Sequence, residues 1–431
     1  MKVWIDATSS NASVRVFGMS LLERILRGLA LAARETKNQN GVRLSEIRVA
    51  LPAGAPIPAD LPADLCDALP MAWVNDGAPL VSALADALAD AASEAVLVLS
   101  ADSIIDTRLF EHLLRTSGNL AFVCGAQGER AAALRIEPPL EPVGADVTTV
   151  LQLADSALAA STVKPMDERA FPGYIRKLRR SLPPYVFRVS GAGGGRRFER
   201  FLFRSNYKGS TDFMTKYVYP PLVWRILRPL ARYRVHPNWV SGVSVVLTFA
   251  AIPLFAMGMW VEGLILAYTM SVLDSVDGKL ARTTFRASKL GNVLDHGLDL
   301  IHPPMWYVAW AWALGGGDVG SGVFQASIAW TVWYVLDRGI AQGFKRRTNR
   351  SIHAIAPLDV RMRTFISRRN VNLPLFTVAL PLGLGIPAFY LMAAWQVVSA
   401  LFHLQRLVKF WNYQQEPTPG QGERDGAPQP A

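Results

Sequence analysis

Four aspartates, Asp274, Asp277, Asp295 and Asp299, interrupt an otherwise apolar part of the chain. An ionised carboxylate in the apolar layer of a membrane is costly unless it is paired, metal-bound or hydrated, so acids in this position predict a function. The first two are three residues apart and the last two are four apart, so each pair shares one face of a helix. A short basic connection joins the two helices, and we therefore expect antiparallel neighbours on which the four carboxylates converge.

The chemistry that this group could perform follows from its ligand type. Oxygen-only ligands suit Mg²⁺ or Mn²⁺ rather than zinc, and such a cation could bind a pyrophosphate. Gly278 would leave room for a bulky group beside the helix, and Arg282 could pair with phosphate oxygens. One acid could act as general base towards a hydroxyl. The alternative is a buried ion-pair network with Lys279 and Arg282, which the regular spacing disfavours.

The elements that must position these residues are apolar segments of membrane-spanning length. Six segments come near the length that crosses about 30 Å of hydrocarbon as a helix. Their predicted limits are 239–260, 262–282, 291–315, 322–344, 373–388 and 390–411. The sequence therefore predicts an all-α polytopic membrane domain of six transmembrane helices.

The distribution of basic residues predicts the orientation of this domain. Lys and Arg occur before the first segment, in the second and fourth connections and after the last segment, but are absent near Gly258, Gly316 and Leu384. The positive-inside rule then places both termini and the aspartates on the cytoplasmic side of a cytoplasmic (inner) membrane. The N-terminus also lacks the apolar core of a signal peptide. Because topology explains the net charge of +11, nucleic acid is disfavoured as a partner.

Composition divides the chain into four predicted regions. Residues 1–160 alternate strand-length apolar runs with helical periodicity, which indicates a soluble α/β domain with a mostly parallel sheet. Residues 161–210 are interpreted as a basic linker, and residues 211–412 as the membrane domain. This domain begins with an aromatic and basic segment, 211–234, that predicts an amphipathic helix at the membrane surface or, alternatively, a helix packed on the first domain. Residues 413–431 are polar and rich in Pro and Gly, and are predicted to be disordered.

The aspartates belong to a longer pattern, D-x2-D-G-x2-A-R-x8-G-x3-D-x3-D, which begins at Asp274. This pattern resembles the motif of the CDP-alcohol phosphatidyltransferase family at every fixed position. The resemblance covers residues from about 208 to 411 and includes Pro237-Asn238, with Ser241, as the family's entry to the first span. It implies a multi-pass membrane enzyme, commonly a homodimer, that transfers a phosphatidyl-type group from CDP-diacylglycerol to an alcohol and releases CMP.

The resemblance also implies roles for individual residues. Metal ligands for Mg²⁺ or Mn²⁺ would be Asp274, Asp277 and Asp295, with Asp299 beside them. Asp299 would be the catalytic base that deprotonates the acceptor hydroxyl. The CDP group would contact the metal-binding acids together with Gly278, Ala281, Arg282, Gly291 and Asn238.

The acceptor is less well defined by the sequence. The connection 345–369 is strongly basic and contains His353, and its residues Arg346, Arg350, Arg361 and Arg368 are candidate acceptor-binding groups. One interpretation is a pocket for a phosphorylated acceptor such as inositol phosphate or glycerol phosphate. The other is membrane topology with anionic lipid headgroups as partners. The neighbouring Asp337-Arg338 is interpreted as a local ion pair, with an acceptor contact as the alternative.

The first domain faintly resembles sugar-nucleotide nucleotidyltransferases, which some members of the phosphatidyltransferase family carry in front. Residues 18–24 (GMSLLER) are similar to the helix after their nucleotide loop, and residues 99–102 (LSAD) to the strand that ends in their metal-binding Asp. However, residues 6–17 contain no glycine that would let the backbone approach a triphosphate. We therefore expect a degenerate domain used for docking or regulation, in which Asp102 is structural.

Four hypotheses remain open on the sequence alone. The first is a phospholipid-synthesising phosphatidyltransferase. The second is a bifunctional enzyme with an active N-terminal cytidylyltransferase, which the missing glycine loop disfavours. The third is a non-catalytic membrane scaffold, and the fourth is a prenyltransferase, which would release pyrophosphate instead of CMP. The intact motif spacing disfavours the last two.

Overall fold

The computed structural model describes the chain in two compact units. The first, the α/β unit, contains Met1–Gly173 and Leu182–Arg204, and the second, the helical unit, contains Tyr174–Ser181 and the described residues from Ser205 to Trp411. Residues outside the description are 38–42, 92–93, 126–128, 140–145, 167–170, 172–173, 176–177, 191–193, 349, 354 and 412–431. For residues 36, 37, 174, 194, 292, 295 and 296 the structure describes the backbone but not the side chain. The tail predicted to be disordered thus lies outside the described residues.

The α/β unit is built on a mixed sheet. Its strands are β1 (Lys2–Asp6), β2 (Arg15–Val16), β3 (Met19–Ser20), β4 (Glu46–Ala50), β5 (Met71–Val74), β6 (Val96–Ser100), β7 (Ser103–Ile105), β8 (Leu120–Cys124), β9 (Ala131–Ile136), β10 (Lys164–Pro165) and β13 (Val186–Arg188). The seven-stranded sheet has the order β10-β8-β9-β6-β1-β4-β5. Strands β6, β1, β4 and β5 are parallel neighbours, whereas β9 runs antiparallel to both β6 and β8. The expectation of an N-terminal α/β domain is confirmed.

Helices cover this sheet because their apolar residues recur on one face. They are α1 (Leu21–Lys37), α2 (Ala63–Ala68), α3 (Leu80–Ala89), α4 (Thr107–Arg115), α5 (Val150–Ala159) and α6 (Gly194–Ser205). The central strands are buried on both sides, so β6 reads as a continuous apolar run, VLVL. Trp4, Leu84, Leu134 and Leu153 pack together in the core on one side of the sheet.

The connection after β1, where a glycine-rich nucleotide loop was sought in the sequence, forms a short turn and a strand pair. Ser10–Ser13 forms a 3₁₀ turn, and β2 and β3 pair antiparallel across Phe17 and Gly18, both of which have positive φ. Further along, Asp102 is buried, and its carboxylate accepts from Arg188 Nε at 2.8 Å and from Ser100 Oγ at 2.7 Å. These contacts support the structural role expected for Asp102.

The segment interpreted from sequence as a basic linker, 161–210, contains β10, β13, α6 and a further strand pair. In that pair, β11 (Tyr174–Ile175) and β12 (Arg180–Ser181) are antiparallel and belong to the helical unit. Gly209 N donates to Leu178 O at 2.8 Å, and a Cβ at Gly209 would lie 2.6 Å from Arg179 O. The chain therefore enters the helical unit at β11, leaves it after β12 and returns at Ser205.

The helical unit follows the order of apolar segments in the sequence. Its helices are α7 (Tyr219–Arg232), α8 (Pro237–Ala256), α9 (Trp260–Thr283), α10 (Lys289–Leu314), α11 (Gly322–Thr348), α12 (Pro357–Phe365), α13 (Arg369–Ala379) and α14 (Gly385–Lys409). A π-helical turn, Met214–Val218, leads into α7, whose residues 219, 223, 227 and 231 are buried along one face. The one-sided burial is the pattern of an amphipathic helix, and the position of this helix at a membrane surface stays a prediction.

The prediction of six spans is not confirmed by helix length and composition. By these criteria, two of the described helices, α8 and α14, are long and apolar enough to cross a membrane. Helices α9 and α10 carry the aspartates of the motif, and α11 ends in basic residues. The predicted segment 373–388 is divided: α13 ends at Ala379, a 3₁₀ turn covers Leu380–Leu382, and Gly383 has a φ of +70°.

Aromatic side chains fill the core of the helical unit. Trp330 of α11 stacks on Tyr307 of α10 with ring centroids 3.9 Å apart, and its ring also meets Phe389 of α14 edge-on. Trp306 of α10 packs against Phe255 of α8, and its indole N–H donates to a backbone carbonyl of α8 at 3.0 Å. These contacts hold α8, α10, α11 and α14 together beneath the polar groups described below.

A buried ion pair between α12 and α14 gives a test of this packing. Asp359 is fully buried; its Oδ1 lies 2.7 Å from Arg406 Nε and its Oδ2 accepts from Ala356 N. Removing one partner leaves an uncompensated buried charge, at a cost of about 3–5 kcal/mol. We expect Asp359→Ala to lower the thermal unfolding midpoint in detergent sharply, whereas Glu262→Ala, which removes an exposed acid at the start of α9, does not. Equal midpoints for the two variants would contradict this assignment.

Candidate active site

The start of α10 is fixed to α8 by a small polar group. Ser288 caps α10: its Oγ accepts from Gly291 N at 2.9 Å and donates to Asn238 Oδ1 at 2.7 Å. Asn238 lies in the first turn of α8. Arg286, in the short connection after α9, donates to Arg234 O at 2.7 Å. These bonds set the helix hairpin in which the motif aspartates lie.

Asp277 is the buried acid of the motif on α9. It is 6% exposed, and its Oδ2 accepts from Ser241 Oγ of α8 at 2.5 Å. Ser241 follows the Pro-Asn pair at the start of α8, so the sequence pattern at 237–241 has a direct structural contact with the acidic motif.

Asp274 and Asp299 are joined by a residue that sequence reasoning did not select, Arg369. Its guanidinium lies 2.9 Å from Asp274 Oδ2 and 3.6 Å from Asp299 Oδ1. The side chain of Asp299 is 54% exposed and that of Asp274 is 24% exposed, whereas Arg369 is 9% exposed. Tyr334 of α11 donates to the backbone carbonyl of Asp299 at 2.6 Å. A buried cation thus stands where acids from α9 and α10 meet, and the two acids remain reachable from outside.

Two glycines lie where a side chain would meet polar groups. A Cβ at Gly278 would lie 3.4 Å from a guanidinium nitrogen of Arg282, one turn further along α9. A Cβ at Gly291 would lie 3.0 Å from Asn238 Oδ1 and 3.1 Å from Ser288 Oγ. Ala281 is half-buried on α9 beside them. The predicted CDP-binding residues of the hairpin therefore lie in the last turns of α9 and the first turn of α10, next to the connection between these helices.

The predicted acceptor arginines occupy different environments. Arg346 on α11 and Arg361 on α12 are exposed, and Arg350 is half-buried in the connection between these helices. Arg368 is half-buried, with a guanidinium nitrogen 3.5 Å from His353 Nε2. The structure instead buries Arg363, which lies on the same connection and which sequence reasoning passed over.

Arg338, Arg363 and Arg368 form a group that we call the arginine cluster. Within the described part of the chain, Nε of each and a terminal nitrogen of Arg363 are buried without a hydrogen-bond partner. Burial, followed by the positive charge of Arg179, lowers the pKa of Arg363 to about 10, while Asp212 and Asp299 act in the opposite direction. Buried donors of one charge sign that lack partners suit an anionic ligand.

The pair Asp337-Arg338 is a local ion pair, as predicted, with Arg338 donating to Asp337 Oδ2 at 2.8 Å. Its arginine nevertheless belongs to the arginine cluster through its buried, unpartnered Nε. The two sequence interpretations are therefore compatible, because one terminal nitrogen of Arg338 makes the ion pair and its Nε has no partner among the described groups.

The acids of the motif are candidate ligands for a divalent cation. Among the side chains that the structure describes, no group of three or more His, Cys, Asp and Glu residues could hold a metal ion. Asp295 lies on α10, one turn before Asp299, but its side chain is outside the description. The donors are carboxylate oxygens alone, the type that Mg²⁺ and Mn²⁺ prefer, and Arg369 shows that Asp274 and Asp299 face a cation. The chemistry of the donor set therefore fits such a metal.

The close approach at Gly291 predicts a contrast between two glycines of α10. Gly291→Ala must displace Asn238 or Ser288, whereas a Cβ at Gly297 meets nothing within 4 Å. Because Ala favours a helix over Gly by about 1 kcal/mol, Gly297→Ala should keep or raise the thermal unfolding midpoint. We expect Gly291→Ala to lower it. Equal shifts in the two variants would show that the polar contact at the start of α10 is unimportant.

Known proteins match the part of the chain that holds this site. The sequence model of CDP-alcohol phosphatidyltransferase matches residues 234–400. The bifunctional IPC transferase and DIPP synthase of Thermococcus kodakarensis is 30% identical over 136 residues, which are 28% of this chain and 31% of that protein. The archaetidylinositol phosphate synthase of Aeropyrum pernix is 37% identical over 78 residues, 18% of this chain and 40% of that protein. Each match thus spans less than half of the curated relative.

A solved structure is also similar to part of the chain. The crystal structure of Mycobacterium tuberculosis phosphatidylinositol phosphate synthase with CDP-DAG bound aligns with 46% of this chain and 96% of its own, at 19% identity and a TM-score of 0.36. The family match by sequence includes the four aspartates, Arg369 and the arginine cluster. Residues 234–400 of this chain are therefore a domain of the CDP-alcohol phosphatidyltransferase family.

Proposed function

We propose that this chain transfers a phosphatidyl-type group from a CDP-linked lipid, such as CDP-diacylglycerol, to a hydroxyl of an alcohol, with release of CMP. The observation that carries the proposal is the meeting of Asp274 and Asp299 at the Arg369 guanidinium within the family domain. Asp274 and Asp299 come from two helices and face one cation, and Asp299 is half-exposed. Such a pair can bind a charged donor and accept a proton from an incoming hydroxyl.

The roles proposed for the acids follow from their surroundings. Asp274, Asp277 and Asp295, with Asp299 beside them, would hold Mg²⁺ or Mn²⁺, which when bound would neutralise the donor's diphosphate. Asp299 is more exposed than Asp274 and Asp277 and would take the proton of the acceptor hydroxyl. The hydroxyl oxygen then forms a bond to the phosphorus that carries the lipid, and the bond from that phosphorus to CMP breaks.

The residues next to the connection between α9 and α10 are proposed to hold the nucleotide. Gly278, Ala281 and Gly291 would let the CDP group approach the helix backbone, and Arg282 would pair with its phosphate oxygens. Asn238 would order this region through Ser288, with which it already shares a hydrogen bond.

The arginine cluster supports a phosphorylated acceptor. Its buried nitrogens are too far inside the protein to serve as ordinary surface charge, and Asp299, the proposed base, acts electrostatically on Arg363. A phosphate on the acceptor would satisfy these donors while its hydroxyl reaches Asp299. Inositol phosphate and glycerol phosphate have this chemistry, and a similar relative is named archaetidylinositol phosphate synthase. The exposed Arg346 and Arg361 are better suited to anionic lipid headgroups.

We also propose a multi-pass protein of the cytoplasmic membrane. The two apolar helices α8 and α14 support membrane insertion, and α9, α10, α11 and the segment around α13 would complete six spans. The alternation of basic and non-basic connections supports an orientation with both termini and the site on the cytoplasmic side. A homodimer is proposed from the family resemblance.

The α/β unit is proposed to be a degenerate nucleotidyltransferase-like domain that docks or regulates. The ion pair of Asp102 with Arg188 and the 3₁₀ turn in the place of a glycine loop support this proposal over a second, cytidylyltransferase activity. The full-length chain incubated with CTP and a phosphorylated alcohol would reveal such an activity as pyrophosphate release.

The direct test of the proposal is CMP release by purified full-length protein in detergent. The assay contains Mg²⁺ or Mn²⁺, CDP-diacylglycerol and, one at a time, inositol phosphate, glycerol phosphate, inositol or serine. We expect CMP only with the metal and a phosphorylated acceptor, because the arginine cluster requires an anion. Turnover with inositol or serine alone would overturn the acceptor class. Pyrophosphate release in place of CMP would overturn the reaction class.

The role of Asp299 is tested by an isosteric change. Asp299→Asn keeps the shape of the side chain but removes the base, so turnover should fall by about 100-fold or more while CDP-lipid binding persists. The matched control is Asp318→Asn in the exposed turn between α10 and α11, where Asn can still accept from Gly320 N. Wild-type turnover in Asp299→Asn would show that another group takes the proton.

A further inference from the structure

We propose that Asp337, His403 and His353 form a buried Asp–His–His chain that positions Arg338 and Arg368 for the phosphate of the acceptor. The inference rests on the proposed function for the identity of that ligand. It assigns a role to three residues outside the acidic motif, which themselves touch no substrate and are therefore positioning residues.

The first end of the chain is Asp337 on α11. Its carboxylate is fully buried and has two partners: Oδ2 accepts from Arg338 at 2.8 Å, and Oδ1 contacts His403 Nδ1. His403 lies on α14 and is also fully buried. A carboxylate shared by a guanidinium and an imidazole is ionised and can only accept, so the Nδ1 of His403 carries the proton that it donates.

The other end of the chain is Arg368, at the start of α13. A terminal nitrogen of Arg368 lies 3.5 Å from Nε2 of His353, which is 2% exposed. Because a guanidinium has only donors, the His353 Nε2 must accept, and its Nδ1 then carries the proton. Burial, followed by the charges of Arg363 and Arg368, lowers the pKa of His353 well below its ordinary value, which is consistent with a neutral ring.

The two imidazoles meet between these ends. Their ring centroids are 4.8 Å apart in an edge-to-face arrangement. The two ring nitrogens left over, His353 Nδ1 and His403 Nε2, are buried and have no partner among the described groups. By the argument from both ends, the first is a donor and the second an acceptor, so they are complementary. Every donor in the chain therefore points from Arg368 towards Asp337.

This direction has a consequence for the arginine cluster. One terminal nitrogen of Arg338 is bound by Asp337, and one terminal nitrogen of Arg368 is bound by His353. Each arginine keeps a buried Nε without a partner among the described groups. Burial, followed by the positive charges of Arg338 and Arg363, lowers the pKa of Arg368. The three positive charges of the arginine cluster repel one another, so the side chains would move apart without contacts that fix them. The carboxylate of Asp337, at the end of the chain, compensates part of this charge. The chain thus holds the cluster ready for a phosphate dianion.

The test distinguishes the hydrogen bonds made by the ring nitrogens of His353 from the effect of the volume of its ring on phosphate binding. His353→Leu removes the acceptor for Arg368, whereas His353→Gln restores an acceptor near the position of Nε2. Full-length protein in detergent is titrated with inorganic phosphate, and the half-saturating concentration is measured. We expect His353→Leu to raise it about tenfold or more and His353→Gln to remain within about threefold of wild type, the range for a hydrogen bond to a charged group. The matched control is Lys345→Ala, an exposed positive charge at the end of α11, which should leave it unchanged.

A second variant guards against loss of the fold. His403→Asn can keep a donor to Asp337 but loses Nε2, the acceptor in the chain, so phosphate binding should weaken with the thermal unfolding midpoint nearly unchanged. Where turnover is measured, the KM for the phosphorylated acceptor should rise in His353→Leu while kcat and the KM for the CDP-lipid stay near wild type. Wild-type phosphate binding in folded His353→Leu, or equal defects in His353→Leu and His353→Gln, would overturn the inference.

The same titration distinguishes this inference from the proposed function. If the wild-type protein releases no CMP with any acceptor, but phosphate binding weakens in His353→Leu and recovers in His353→Gln, the proposed function fails and the positioning chain stands. If the wild-type protein binds no phosphate at all, the positioning chain is overturned, whether or not CMP is released.

Discussion

Charges buried in the helical unit must be compensated inside the protein, and this constraint decides which segments can be neighbours. Arg369 ties α13 to α9 and α10 through Asp274 and Asp299. Asp337 ties α11 to α14 through a histidine, and Asp359 ties α12 to α14 through an arginine. Since an unpaired buried charge costs several kcal/mol, each of these pairs excludes arrangements in which its two segments separate.

Much of the fold and of the acidic motif was predictable because the signals are local. Helical spacing places Asp274 beside Asp277 without any knowledge of tertiary structure. The alternation of strands and helices in the first domain also has a local period, and the mixed sheet confirms it except for the antiparallel β9. The fifth apolar segment was less predictable, because Pro381 and Gly383 allow a helix end that hydrophobicity does not report.

The basic side of the site was not predictable in the same way. Arg369 meets an acid 95 residues earlier in the chain, and no local pattern distinguishes it from Arg361, which is exposed. All of these arginines lie in one basic connection, where topology alone accounts for positive charge. What separates them is burial, which depends on how α12 and α13 pack. His353 and His403 are 50 residues apart and become informative only when their rings are seen in contact.

The strand pair β11–β12 shows that the two units are not consecutive in the sequence. Eight residues, Tyr174–Ser181, belong to the helical unit, although chain belonging to the α/β unit lies on both sides of them. Arg180 donates to Tyr207 O and Leu178 accepts from Gly209 N, so these residues are bound to the start of the helical unit. A simple end-to-end gene fusion would give one passage of the chain between the units, whereas the residues up to Trp411 pass between them at Tyr174, Leu182 and Ser205. Neither unit could therefore be exchanged with a homologous one as a single uninterrupted cassette.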